Sequence, residues 1–172
     1  LSWIAHKYGF GTYIHRIDGY YSKQSNEEAR NVLKRLIEKY EDKRSNVYID
    51  TLISPSYTSA IAQVIQLPGI SGMENNMILF EFDKANPENL DQIVENIKLV
   101  KAGNYDVGIL GSSHKRFNFS NGIHVWIKRV DYENANLMIL LSYIIISHPD
   151  WRGGKIRIFE ITKEQDTEQS KE

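Results

Sequence analysis

Apolar side chains recur at Ala29, Val32, Leu33, Leu36, Ile37 and Tyr40. The offsets are i, i+3, i+4, i+7, i+8 and i+11, which place all six on one face of an α-helix. Glu27, Lys34, Glu38 and Lys39 fall on the opposite, wet side. Ser25 and Glu28 have the spacing of a capping box, which predicts where this helix begins. Before it, Tyr13, His15 and Ile17 alternate with Thr12, Ile14 and Arg16, a period of two that predicts a strand over 11–17.

The same two periods alternate along the rest of the chain. Val47–Ile53 reads as a strand. Ser54 and Pro55 mark the start of a helix whose stripe is Ala60, Ile61, Val64 and Ile65, ended by Pro68 and Gly69. Met77–Phe82 is an apolar run expected to be a strand buried on both faces. Asn86, Pro87 and Glu88 open a helix with Leu90, Ile93, Val94, Ile97 and Val100 as its stripe and Gly103 at its C-terminal cap. Val107–Leu110 is a short strand, and Gly111–Gly122 a polar loop. Ile123–Lys128 then reads as a strand, 134–147 as a helix and Lys155–Ile161 as a last strand. Near the N-terminus, Trp3, Ile4 and Tyr8 share one helical face, as if the chain opened inside a helix.

Strands alternating with helices predict an α/β fold, a mostly parallel sheet flanked by helices. A single domain is expected over 1–162, followed by a polar, flexible tail over 163–172. The helix over 134–147 is the unusual element. Leu137–Ile146 is nearly continuously apolar, yet a membrane span needs about twenty such residues. Asn134 and Asn136 precede the run and His148, Pro149 and Asp150 close it, so a buried core helix is expected, with no span.

Composition narrows the function classes. The 172 residues carry a formal net charge of -1, so no basic excess points to nucleic acid. The absence of cysteine excludes disulfides, thiolate catalysis and cysteine-ligated zinc. The five histidines, His6, His15, His114, His124 and His148, form no H-x-x-x-H or H-E-x-x-H pair, so no metal site is expected. No signal-peptide pattern opens the chain.

Several residues invite chemistry. Gly108, Gly111, Ser112 and Ser113 follow a strand, and the backbone of such a segment can cradle a phosphate. The segment lacks the Lys-Ser/Thr ending of a P-loop. Measured against the fingerprint of universal stress proteins, Gly108 and Gly111 fit, but Gly122 comes one position late and is followed by Ile123 rather than a hydroxyl residue. Ser25, Ser54, Ser56 and Ser59 lie in no nucleophile elbow; Ser25 and Ser54 read as helix caps. Asp18, Asp50 and Asp83 lie near strand ends, where α/β sheets bind ligands and where turns also use aspartate. Lys115, Arg116 and Phe117 form a small basic–aromatic cluster. Trp126 and Trp151 suit either an interface or the core.

The C-terminal block carries a resemblance. Ile123-His-Val-Trp126, Leu137-Met-Ile-Leu-Leu-Ser-Tyr-Ile-Ile, Trp151 and Lys155-Ile-Arg-Ile-Phe159 follow one another as in the closing cytoplasmic segment of cation–chloride cotransporters. Asn75-Asn-Met-Ile-Leu79, after Gly69–Met73, is similar to that family's strand entry, and the simpler prokaryotic members, relatives of amino-acid permeases, fit best. The resemblance implies a universal-stress-protein-like α/β domain on the cytoplasmic face of a membrane, behind the membrane domain of the same transporter. It implies homodimerisation, a regulatory role, no enzyme activity and no cofactor. Transport residues belong to the membrane domain and have no counterpart here. The family's first strand should precede the opening helix, so its absence from this chain is expected to leave a sheet edge exposed. Tyr132, Asn134, Trp151 and Arg152 are the expected interface residues. The alternative reading is a nucleotide-binding sensor of stress-protein type, with Gly108, Gly111, Ser112 and Ser113 as its loop; a small hydrolase has no supporting constellation.

Overall fold

The structure is a computed structural model that describes residues 1–7, 9–40, 46–67, 69, 74–114 and 117–161. The tail expected over 163–172 lies outside the described residues, as do Tyr8, Pro68, Lys115 and Arg116. Where one domain is expected over 1–162, the described residues fall into two compact units. One holds 12–40, 49–67, 69 and 74–114; the other holds 1–7, 9–11, 46–48 and 117–161.

β1 (Gly11–Asp18) pairs with β2 (Val47–Ser54), both belonging to the first unit from Thr12 and Ile49 onward, and α2 (Lys23–Tyr40) lies between them in sequence. The start of α2 corrects the sequence reading. Ser22 Oγ accepts from the Ser25 backbone N–H at 3.1 Å, and Ser25 Oγ accepts from the Ser22 N–H at 2.9 Å. This is the reciprocal bonding of a capping box, begun three residues earlier, with Ser25 in the role usually taken by glutamate. Ser25 also donates to the Tyr20 carbonyl at 2.9 Å, so it closes the preceding turn. The start of α3 (Tyr57–Val64) is displaced in the same way. Its cap is Ser56, whose Oγ accepts from Ser59 N–H at 3.1 Å, while Ser54 is the last, fully buried residue of β2.

A βαβ unit follows: β3 (Met77–Asp83), α4 (Leu90–Ala102) and β4 (Asp106–Ser112), with the strands parallel from Met77↔Asp106 to Asp83↔Ser112. Ile61, Phe80, Ile93 and Val100 form the buried core of this unit, and Tyr57, Ile65, Ile78, Phe82, Leu99, Tyr105 and Val107 pack against it. Each fully buried aliphatic side chain contributes about 1.5–3 kcal/mol. β3 is less enclosed than its apolar run suggests: only Phe80 is buried, because β3 lies in a two-stranded ladder. Val94, placed on the α4 stripe by its spacing, is 53% exposed, whereas Ile93 and Val100 are fully enclosed. Gly103 caps α4 as expected, but the left-handed residue is its neighbour Asn104, at φ 61°.

In the second unit, α1 (Ser2–Ala5) packs against α5 (Tyr132–Ile146). A second βαβ unit runs β5 (Ile123–Lys128), α5, β6 (Ile156–Ile161), with parallel register from Ile123↔Ile156 to Lys128↔Ile161. Val125 and Ile127 point to one face of β5 and are buried, and α5 packs on that strand. Gly122 opens the ladder at φ 75°. A Cβ there would sit 2.0 Å from the Lys155 carbonyl oxygen, which accepts the Ile123 N–H at 2.9 Å.

The α/β class is as the alternating periods predict. The pairing among the described residues is local: β1 with β2, β3 with β4, β5 with β6, in three two-stranded ladders rather than one sheet. Each pair is joined through its own intervening helix, the pairing that closes the shortest loops.

Candidate functional site

The segment expected to hold a phosphate is strand. Gly108, Gly111 and Ser112 lie within β4, opposite Leu79, Phe82 and Asp83, and Ser113 follows directly. A Cβ on Gly108 would come within 2.9 Å of Leu79 Cδ1, and one on Gly111 within 2.7 Å of Lys84 Cε. These glycines make room for side chains of the neighbouring strand. The polar loop expected from Gly111 therefore starts after Ser112, whose Oγ donates to the Phe82 carbonyl at 3.2 Å.

The strand-end carboxylates separate. Asp18 pairs with Arg16. Asp50 Oδ1 accepts the Thr51 N–H at 2.7 Å. Asp83, where parallel β3 and β4 end, accepts the Ala85 N–H at 2.9 Å and lies 3.1 Å from Nε2 of exposed His114. Of the three, Asp83 does the work of a turn and adds one histidine contact, whereas Asp18 ends β1 in an ion pair and Asp50 lies within β2 rather than near its end. Among the described residues, no group of three His, Asp or Glu side chains is placed to hold a metal ion.

Trp151 is the clearest surprise among the expected interface residues. Only 5% of it is exposed, and its ring lies 5.3–5.4 Å from those of Trp3, Phe117 and Phe119, each edge-to-face. Such aromatic pairs add about 0.5–1.5 kcal/mol each beyond their burial. Trp3 donates to Asp150 Oδ2 at 3.1 Å and anchors the one-turn helix Pro149–Trp151. The Trp151 indole N–H is buried without a hydrogen-bond partner among the described residues. Trp151 thus builds the core of this unit.

Tyr132, Asn134 and Arg152 are exposed, as an interface role requires. The Tyr132 hydroxyl donates to Glu160 of β6, and this bond holds the phenol above its ordinary pKa. The most telling side chains of α5 are two that sequence reasoning did not single out. Tyr132, Asn136, Leu140 and Tyr143 follow at i, i+4, i+8 and i+11 and are all exposed, with Leu140 at 55% and Tyr143 at 63%. The helix expected to be buried leaves this one stripe open, while β5, β6 and α1 pack around the rest of it. The signal was in the sequence: ten nearly unbroken apolar residues have no polar side to turn outward. On the inner face, Ser142 is buried and satisfied by donating to the Met138 carbonyl at 2.8 Å.

No family model matches the chain. Over 171 residues it is 22% identical to cation-chloride cotransporter 1 of Arabidopsis thaliana, an alignment covering 91% of this chain and 16% of that protein. The chain resembles a segment of a cation–chloride cotransporter. That likeness agrees with the family resemblance carried by Ile123–Phe159, and it extends over most of the chain. Among the described residues, no helix of this cotransporter-like segment is long and apolar enough to cross a membrane.

Proposed function

We propose that the chain is a non-catalytic regulatory and dimerisation domain on the cytoplasmic face of a cation–chloride cotransporter. The cotransporter part rests on the likeness to cation-chloride cotransporter 1, and the observation that carries the dimerisation part is the outward stripe of α5. Leu140 and Tyr143 lie exposed on a helix with no polar face, beside the exposed Tyr132. Covering Leu140 in a symmetric contact between two copies would contribute about 1 kcal/mol or more from each copy. In that role the domain acts on transport mechanically. Its association shifts the balance between transporter conformations only as far as it binds one conformation better than the other.

Sedimentation of the 172-residue chain tests this. The wild type is expected to associate at micromolar concentration, and Leu140→Glu with Tyr143→Glu to give monomers of unchanged far-UV circular dichroism. Monomers of the unsubstituted chain, both alone and within the complete transporter, would remove the dimerisation part. A complete coding sequence without a membrane domain would remove the cotransporter part.

A further inference from the structure

The face of the β5–β6 ladder that carries the even-numbered residues of β5 is unusually composed. Because side chains alternate along a strand, His124, Trp126 and Lys128 share a face with their register partners Arg157, Phe159 and Ile161. None of the six is acidic. Trp126 is 54% exposed and lies stacked on Phe159, with centroids 4.4 Å apart and planes 16° from parallel. Stacked face to face, the two rings present their edges and outer faces as one apolar plate. Beside it, Arg157 donates through one guanidinium nitrogen to the Asn121 carbonyl at 2.8 Å, and the same nitrogen lies 3.2 Å from His124 Nε2. That contact fixes the direction of an exposed guanidinium, whose five N–H groups exceed what one carbonyl takes up. Lys128 flanks the plate on the other side. The nearby Asp131 carboxylate, outside the ladder, accepts the Lys128 backbone N–H through one oxygen at 3.0 Å and keeps its charge.

We propose that this face receives an extended acidic peptide segment. One of its carboxylates would sit on Arg157, an apolar side chain on the Trp126–Phe159 plate, and a second carboxylate near Lys128. The three stations are two residues apart along the ladder, about 6.6 Å per step, which is the same-face repeat of an extended peptide. The occupant thus has the form acidic–x–apolar–x–acidic. Charge complementarity selects it: the six ladder side chains include two permanent cations and no anion, and Asp131 beyond the ladder leaves a net positive charge of one. Anionic membranes are held by clusters of four to eight Lys and Arg, more than this face provides. Nucleic acid is disfavoured by the chain's net charge of -1. The proposal is independent of the cotransporter reading.

The test uses the 172-residue chain and the blocked peptide Glu-Ser-Phe-Ser-Glu, with binding followed by calorimetry. Saturable binding is expected. Arg157→Glu should weaken it about tenfold or more, the worth of a hydrogen bond to a charged group. Trp126→Ala should weaken it similarly. The peptide Lys-Ser-Phe-Ser-Lys should bind poorly to the wild type and better to Arg157→Glu, a reversal that loss of folding cannot mimic. The proposal is overturned by no binding at millimolar peptide, or by equal binding of the two peptides. It is equally overturned if oligothymidylate or phosphatidylserine-containing vesicles bind more tightly and are released by the same substitutions.

Discussion

Ile93 and Val94 are adjacent on α4 and both belong to the apolar stripe read from spacing, yet the structure separates them completely. Ile93 has 0% exposure and sits with Ile61, Phe80 and Val100; Val94 is 53% exposed. Ile93→Ala removes three buried carbon atoms from a closed core and leaves a cavity, at a cost of about 2–5 kcal/mol. Val94→Ala removes atoms that are already half in water and should cost no more than about 0.5 kcal/mol. The three tryptophans, Trp3, Trp126 and Trp151, all belong to the other unit, so fluorescence is the wrong probe for this one. Urea titration followed by far-UV circular dichroism is suitable, with amide exchange of α4 as a local check. A lowered midpoint at unchanged slope is the signature of lost stability alone. If Ile93→Ala costs less than about 1 kcal/mol, or Val94→Ala costs as much as Ile93→Ala, α4 presents a different face to the core and Ile93 does not sit at its centre.

Two further outcomes follow from local geometry and burial. Gly122→Ala should destabilise the β5–β6 unit by more than about 2 kcal/mol, because the added Cβ meets the Lys155 carbonyl and φ is 75°; near wild-type thermal unfolding would refute this. Burial holds the Tyr57 hydroxyl above its ordinary pKa, so its contribution to stability is full below about pH 10 and falls as pH rises through the higher value in the fold; Tyr57→Phe should flatten that alkaline loss in urea titrations, and an unchanged slope against pH would count against it.

Much of the local structure was legible in the chain. Strand and helix periods located β1 to β6 and α2 to α5 to within a few residues, since each depends on side chains two or three to four positions apart. Helix starts were read less well. Ser22 and Ser56 cap α2 and α3, where Ser25 and Ser54 had the more familiar pattern. Several serines lie close together there, and only the path of the backbone decides which hydroxyl meets a free N–H. The glycines of β4 misled for a related reason. Glycine signals that room is needed, and whether a phosphate or the side chains of Leu79 and Lys84 use that room depends on the strand alongside.

The exposure of the expected interface residues was legible in part. Tyr132 was read correctly as exposed, whereas Trp151 proved to be the centre of an aromatic core assembled from Trp3, Phe117 and Phe119. Those residues lie up to 148 positions from Trp151, and no local period reports such a meeting.

The sequence by itself determined the alternation of strands and helices, the α/β class, and an α5 too short for a membrane and too apolar for a solvated surface. These depend on residue type and near-neighbour spacing. Tertiary structure alone decided that the ladders pair two by two, that Ile93 is enclosed while Val94 is wet, that Trp151 turns inward, and that Leu140, Tyr143 and the Trp126–Phe159 plate are left uncovered. The physical reason is that apolar side chains gain by leaving water without regard to direction. Spacing names the residues that would gain from burial; the area that neighbouring elements can cover decides which of them are buried.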